Sequence, residues 1–293
     1  MPVRLAVRGW SWVTRSFPNL PGRWRIVRWL DQQQASFAAL PPKTVRFARE
    51  FRMRVDPVDE NGRRIYVNGY QPAERLTRHF VRLLRPGDCV IDIGANVGYY
   101  TMVAAKLVGP AGCVHAFEAS PQTAAWLEAN ATLNPGANIH VHSQAVTDRC
   151  GKTEFFAAAA DRTGYSSIRD LGEQTAAVAT VPTISLDSML TELPATRLVK
   201  IDVEGAELLA LKGMRGLIER DRPYFIFEID DQFLRELGAS AREQCEFLTG
   251  RGYELHRIVA RGALEPVTRP PTDRCNILAE PDHRAPSRGG WAT

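Results

Sequence analysis

Long hydrophobic runs, paired cysteines and a one-sided charge are all missing from this chain of 293 residues. No uninterrupted apolar stretch comes near the roughly 20 residues that a membrane-spanning helix needs. The five cysteines, Cys89, Cys113, Cys150, Cys245 and Cys275, are scattered and odd in number. They make neither a CxxC pair nor a zinc spacing, which excludes a disulfide framework and fits a reducing, cytoplasmic setting. Cys89, Cys113 and Cys275 fall in apolar strand-like runs and are expected to be small buried hydrophobes. The arginine-rich beginning breaks at Pro18 and Pro21 before an apolar signal core develops. No nucleic-acid fold signature accompanies the basic residues, so no nucleic-acid partner is expected. With 44% hydrophobic and 24% charged residues, the composition is that of an ordinary globular protein with a full core.

The net charge of +4 is unevenly placed. Between Arg4 and Arg54, eleven basic residues face only Asp31 and Glu50. The remainder is therefore mildly acidic, and the basicity belongs to one segment. Trp10, Trp12, Trp24 and Trp29 lie among those arginines. Residues 1–54 are accordingly set apart as an N-terminal extension, and 55–293 as the main domain with its core at 84–230. The tryptophans are expected to cover an open edge or cleft of that domain. Peripheral contact with an anionic membrane surface is the alternative.

Next, residues 51–70 alternate apolar and polar about Asp59-Glu60-Asn61-Gly62, which predicts a hairpin. Leu76, Phe80, Leu83 and Leu84 have helical spacing, ended by Pro86-Gly87. From Cys89 onward, strand and helix patterns alternate. Strands are predicted over 89–93, 113–118, 139–146, 198–203, 224–229, 253–259 and 276–279, and helices over 97–107, 121–133, 206–219 and 241–249. Ser120 before Pro121 is a good N-cap followed by an N1 proline. The fold class this predicts is α/β: a mostly parallel, seven-stranded sheet with helices on both faces. The stretch 151–183 interrupts the alternation with an extra strand and a Gly/Ser/Thr-rich loop. Insertions of that length beside a cleft commonly carry substrate contacts.

One run says more than the rest. A strand ending in Asp92 and Ile93 passes into Gly94-Ala95-Asn96-Val97-Gly98 and straight on to a helix. Glycine suits a sharp strand-to-helix turn that needs positive φ or close approach of a ligand, and a helix N-terminus offers N–H groups to that ligand. Asp92, in an apolar strand, would be costly there unless partnered. The loop is not the G-x-G-x-x-G of dinucleotide sites, and no Gly-Lys-Ser/Thr follows to make a P-loop. Glu118 closes the next strand, where an acid can accept hydrogen bonds from both ribose hydroxyls. The G-x-N-x-G form of the loop favours S-adenosylmethionine; a nicotinamide-dependent oxidoreductase is the alternative. Ligands of open α/β sheets bind at the carboxyl ends of strands. The expected cofactor residues are therefore Asp92, Gly94, Ala95, Asn96, Gly98 and Glu118, with Gln144 and Ala145 beside an adenine. Asp202 and Glu204, at the end of the fourth strand, are the candidate catalytic residues. Glu204 serves equally well as an acid at a helix start. Asp202 with Glu228 or Asp230 could hold a divalent cation, but no third ligand is visible, and no metal is expected.

These residues resemble the FkbM family of S-adenosylmethionine-dependent methyltransferases. The match lies in Leu84 to Thr101, in Ala116-Phe-Glu-Ala-Ser-Pro121, in Val199-Lys-Ile-Asp-Val-Glu-Gly-Ala-Glu207, and in Phe225-Ile-Phe-Glu228. The family usually has Phe-Glu-Pro where this chain has Phe117-Glu118-Ala119. The resemblance implies a Rossmann-like class I methyltransferase fold and O-methylation of a hydroxyl on a sugar, polyketide or other secondary metabolite. It implies a small-molecule or glycan acceptor, and it says nothing of oligomeric state or of the N-terminal extension. A carboxylate such as Asp202 would then orient or deprotonate the hydroxyl if burial raises its pKa. A non-catalytic protein that docks through its Trp/Arg segment is the remaining alternative.

Overall fold

Residues 37, 40–47, 51–68 and 74–282 are described by the computed structural model. The four tryptophans of the basic segment lie outside the described residues. The centre is an eight-stranded sheet. Its parallel part is β3 (Cys89–Ile93), β4 (Cys113–Phe117), β5 (Ile139–His142), β9 (Thr196–Ile201) and β10 (Tyr224–Ile229). Strands β11 (Tyr253–Ile258), β12 (Leu264–Pro266) and β13 (Cys275–Pro281) complete it in the order β12-β11-β13-β10-β9-β3-β4-β5. β13 runs antiparallel between β10 and β11. Seven of the strands were predicted, and β12 is an added short edge. The order reverses at β3, whose neighbours are β4 on one side and β9 on the other, so a crevice opens at its carboxyl end. This is the class I methyltransferase arrangement.

Alternation along each strand feeds two apolar layers. Val90, Val114, Leu198, Ile226 and Leu278 belong to one core, and Ile91, Ile93, Phe117, Val199, Phe225, Phe227 and Ile277 to the other. All five residues of β3 and of β4 are buried, as a parallel strand covered on both faces requires. Helices α3 (Tyr99–Val108) and α4 (Pro121–Thr132) follow β3 and β4. Ser120 caps α4, its Oγ accepting from the Thr123 N–H at 3.3 Å. The helix predicted over 206–219 is two, α5 (Glu207–Lys212) and α6 (Arg215–Asp221), parted at Gly213. A Cβ there would lie 1.9 Å from the Thr147 carbonyl oxygen, so the helix breaks where two backbones meet. Helices α7 (Asp231–Glu236) and α8 (Ala241–Thr249) pack farther along the same face.

Two further expectations are corrected. Residues 51–70 do not form a hairpin. β2 (Phe51–Val55) pairs instead with the preceding β1 (Lys43–Phe47), and α1 (Glu60–Asn68) takes the place of the second strand. Asp59 caps that helix: its Oδ2 accepts from the Gly62 N–H at 2.7 Å. Ile65, Tyr66 and Val67 are consecutive and all buried, which a half-exposed strand could not achieve. The strand predicted over 139–146 also divides. Ala145 and Val146, as β6, leave the large sheet and join β7 (Gly151–Ala157) and β8 (Ala177–Ile184) in a separate three-stranded sheet. The following helix α2 (Glu74–Leu83) forms where its spacing predicts.

The β1–β2 pair shares the main domain's core, since Phe37, Val45, Met53 and Val55 pack with Phe80, Tyr100 and Met102. Two asparagines, Asn130 of α4 and Asn134 just past its end, stand in for a neighbouring strand along β2. Asn134 accepts from the Arg52 N–H and donates to its carbonyl, both at 2.8 Å. Asn130, fully buried, accepts from the Arg54 N–H at 2.7 Å and donates to the carbonyls of Arg54 (3.2 Å) and Val97 (2.8 Å). Asn130→Ala would leave these backbone groups unpaired in the interior. It is expected to lower unfolding free energy by about 1–3 kcal/mol in a urea titration; an unchanged midpoint would show that the bridge carries no stability.

Candidate active site

The loop after β3 is held by its own neighbours. Gly94 and Ala95 donate their N–H groups to the Phe117 carbonyl at 2.9 and 3.0 Å, and Gly98 donates to the Ala95 carbonyl at 2.9 Å. Asn96 donates to Glu118 Oε2 at 2.9 Å, and Val97 to Asn96 Oδ1 at 2.6 Å. Each N–H from 94 to 98 is thus spent inside the protein. The loop does not present the row of free donors with which a pyrophosphate is cradled. Gly94 is required for another reason: at φ +73°, a Cβ on it would sit 1.9 Å from the Asp202 carbonyl oxygen. Gly98 makes room for Leu127, 2.7 Å from where its Cβ would be. Asn96 takes φ +50°, which asparagine tolerates better than most residues.

Glu118 sits just past β4. Its Oε2 holds Asn96 and its Oε1 accepts from the Ser120 N–H at 2.9 Å. A carboxylate oxygen has two lone pairs, so each still has room for a hydroxyl donor. Burial pushes the Glu118 pKa up to about 7, with Asp92 adding to the rise and the two N–H bonds and Lys200 opposing it. Glu118 lines a cleft with Gly94, Asn96, Phe117, Gln144 and Ala145. Residues Thr163, Gly164 and Ser166 to Ile168, from the insertion, form its other wall. Thr163 is tied to α1 through Asp59, its Oγ1 donating to Asp59 Oδ1 at 2.7 Å.

Beneath the loop lies a buried ion cluster. Asp92 accepts from Thr101 Oγ1 at 2.7 Å and lies 3.4 Å from Lys200 Nζ. The same Nζ is 3.4 Å from Asp202 Oδ2. Side-chain exposure is 1% for Asp92 and 3% for Lys200. Burial alone would depress the Lys200 pKa, but the carboxylates of Asp202 and Asp92 together outweigh it and the pKa is raised. Asp202 was expected inside a buried strand. Instead β9 stops at Ile201, and the Asp202 side chain is 41% exposed. The burial invoked for its base role is absent.

Glu204 is the buried acid of this turn. It has φ +52°, and its Oε1 accepts from Arg274 Nη2 at 2.8 Å. The same Nη2 is 2.6 Å from Glu228 Oε2. Burial, then the neighbouring Asp202 charge, pushes the Glu204 pKa up to about 8; Glu228 is pushed up to about 7 for the same two reasons. Arg274 pulls against both. Carboxylate oxygens of Asp202, Glu204 and Glu228 lie within 4.8 Å of one another. Glu204 is the third oxygen donor that the sequence does not reveal, yet Arg274 already supplies counter-charge to two of the three. Glu207, at the start of α5, secures the turn by accepting from the N–H groups of Val203 (3.1 Å) and Gly205 (3.0 Å).

A second cavity, of about 300 Å³, adjoins the first. Its lining is largely polar and includes Glu60, Asn61, Tyr165, Glu204, Glu228 and Arg274. Among the described residues, only Gly94, Asn96, Gly164 and Asp202 line both spaces. Among these four, Asp202 has the one titratable side chain.

Residues 92–255, more than half of the chain, match the model of the methyltransferase FkbM domain. The chain belongs to the FkbM methyltransferase family. It is thus a methyltransferase, and S-adenosylmethionine is the methyl donor that goes with it. The nicotinamide alternative is set aside. Among curated proteins, the chain is 29% identical over 230 residues to 31-O-demethyl-FK506 methyltransferase FkbM of Streptomyces tacrolimicus, covering 63% of this chain and 84% of that one. It is 28% identical to hexuronic acid methyltransferase AglP of Haloferax volcanii over 57% of this chain and 66% of that one. The crystal structure of methyltransferase FkbM from Methylobacillus flagellatus KT aligns with 14% identity and a TM-score of 0.41, covering 85% of this chain and 58% of that one. The strand order above does not depend on that alignment.

For this FkbM-family enzyme, the sequence-named residues divide into three groups. Gly94, Asn96, Glu118, Gln144, Ala145 and Asp202 line the first cleft, and Ala95 and Glu204 the second cavity. Asp92 and Gly98 line neither; one sits beneath the loop on Lys200 and the other against Leu127. Lys200, Arg274, Tyr165 and the first turn of α1 were missed. Lys200 could have been found, since a lysine between apolar residues needs a buried acid such as Asp92. Arg274 had no local signal, because it arrives beside β13 from the far end of the chain. Lys200→Met would leave Asp92 buried without a counter-charge, at a cost of about 3–5 kcal/mol of stability. Adding Asp92→Asn is expected to recover most of that loss in thermal and urea unfolding; additive effects of the pair would disprove the coupling.

Proposed function

We propose that this enzyme transfers the methyl group of S-adenosylmethionine to a hydroxyl oxygen of a polyhydroxylated acceptor, with a sugar or glycoside preferred to an apolar polyketide. The observation that carries the proposal is the position of Asp202 between the cleft that Glu118 lines and the polar cavity. The relatives' names support the chemistry: one specifies a methyl on oxygen, the other a hexuronic acid as substrate. A cavity rimmed by carboxylates, amide and guanidinium suits a ligand rich in hydroxyls, each of which must exchange water for a protein partner.

In this reading Glu118 receives the two ribose hydroxyls on its open lone pairs. Gln144 and Ala145 border the adenine, and the turn at Gly94 and Asn96 borders the amino-acid part. The absence of free loop donors suits a cofactor without phosphate. When bound, the sulfonium supplies an activated methyl group. Asp202 would hold the acceptor O–H in line and take its proton as the new C–O bond forms and the methyl–sulfur bond breaks, the bonding pair staying on sulfur. Its Oδ2 faces Lys200, which leaves Oδ1 for the acceptor. Glu204, Glu228 and Arg274 hold the remaining acceptor hydroxyls.

Asp202→Asn is expected to reduce turnover by about 100-fold or more, measured with radiolabelled methyl donor on a panel of uronic acid and neutral glycosides. Cofactor affinity should stay within about twofold, because ribose and adenine contacts are untouched. Full activity in that variant would remove Asp202 from the chemistry. A second outcome tests the cofactor site. Hydroxyl donors favour the ionised form of Glu118, so calorimetric affinity for S-adenosylmethionine should climb as pH rises through about 7 and level off above it. Glu118→Gln should flatten that profile and weaken binding by about 10- to 100-fold. An unchanged profile would mean that Glu118 does not meet the ribose.

A further inference from the structure

At the amino ends of β3 and β4, opposite the active site, two thiols and an imidazole converge. Cys89 and Cys113 are register partners on adjacent parallel strands. His115 lies two residues beyond Cys113 and so on the same face of the sheet. One donor atom from each of the three lies within 4.8 Å of the other two. All are buried, with exposures of 3%, 7% and 8%. We propose that Cys89, Cys113 and His115 form a binding site for a thiophilic closed-shell cation, Zn²⁺ or Cu⁺.

Sequence spacing hides this site, because its two cysteines are 24 positions apart and meet only through strand pairing. The imidazole is already oriented. His115 Nδ1 is 3.2 Å from His142 Nε2, which leaves His115 Nε2 as the ring nitrogen for an ion. Ligating histidines usually fix their second nitrogen in this way. The ring plane is held by stacking against His140 (centroids 4.7 Å apart) and His142 (5.4 Å). Thr196 of β9 lies opposite Cys89 and brings a hydroxyl to the same corner. His140, which stacks on His115, is exposed on edge strand β5, so the histidine side of the cluster borders solvent.

Donor chemistry selects the ion. Two sulfurs and one imidazole nitrogen favour Zn²⁺ and Cu⁺ over Mg²⁺ or Ca²⁺. Three donors satisfy trigonal Cu⁺, whereas Zn²⁺ would add the Thr196 hydroxyl or a water as its fourth. Binding forms two metal–thiolate bonds and one metal–nitrogen bond and releases two thiol protons, with no change of oxidation state. The bound ion would pin the starts of β3 and β4, whose far ends carry the 94–98 loop and Glu118. This site is independent of the methyl-transfer proposal.

The test uses the full-length, untagged, reduced and metal-free chain. Titration with Co²⁺ should produce a sulfur-to-cobalt charge-transfer band that saturates at one equivalent. Competition with a chelating indicator should then show Zn²⁺ or Cu⁺ displacing the cobalt, and which ion displaces it identifies the occupant. A hundredfold excess over Kd should raise the thermal midpoint by about 5 °C, and lowering the pH should weaken binding. Cys113→Ser should lose more than the roughly 100-fold in affinity that removal of an outer partner costs. Cys150→Ser, at an exposed cysteine, should bind as the wild type does. No charge-transfer band on the wild-type chain, displacement by neither ion, or a band undiminished in both Cys89→Ser and Cys113→Ser would overturn the proposal. The wild-type spectrum decides even if a variant fails to fold.

Discussion

Lys200 carries its charge almost wholly out of water, and the site is arranged around it. Its ammonium lies 3.4 Å from Asp92 on β3 and 3.4 Å from Asp202 at the end of β9. An isolated ion at that depth would be untenable, so the two strands must stay side by side for the pair to exist. That pairing sets the loop and the catalytic candidate in one frame. Asp202 donates its backbone N–H to the Ile93 carbonyl at 3.0 Å, and its own carbonyl fills the space that a side chain on Gly94 would need. Position and charge of Asp202 are thus set from both strands at once.

The same region concentrates unfavourable local features. Asn96 and Glu204 hold left-handed backbone, and Glu118, Glu204, Glu207 and Glu228 have pKa values raised chiefly by burial. An acid with a folded-state pKa above its unfolded value costs stability as pH rises from its unfolded to its folded pKa. For these four the window runs from about 4.5 to about 7 or 8. Such groups gather where a ligand is to meet them. Stability for the whole comes from the two apolar layers of the sheet, in which β3 and β4 are buried end to end.

The insertion between β6 and β9 builds its own sheet and returns a loop over the cleft. Thr163 docks on Asp59 and Ser167 on the carbonyls of Val203 and Glu204. The insertion therefore joins α1 to the turn that follows β9, and Gly164 ends up between the two cavities.

Sequence alone determined the strand–loop–helix about Gly94–Gly98, the acid at 118, the order of alternating elements and the family. Each of these is local: a period of two or 3.6, a glycine where the chain must turn, an acid after an apolar strand. Asp59-Glu60-Asn61-Gly62 misled because the same residues serve a turn or a helix cap, and only the burial of Ile65 to Val67 chooses between them. Tertiary structure alone decided that Lys200 neutralises Asp92, that Arg274 reaches Glu204 and Glu228, that Asp202 faces water at a junction, and that Cys89 meets Cys113. These contacts join strands far apart in the chain. Their energy depends on desolvation and on distances of a few ångströms, neither of which a linear spacing records.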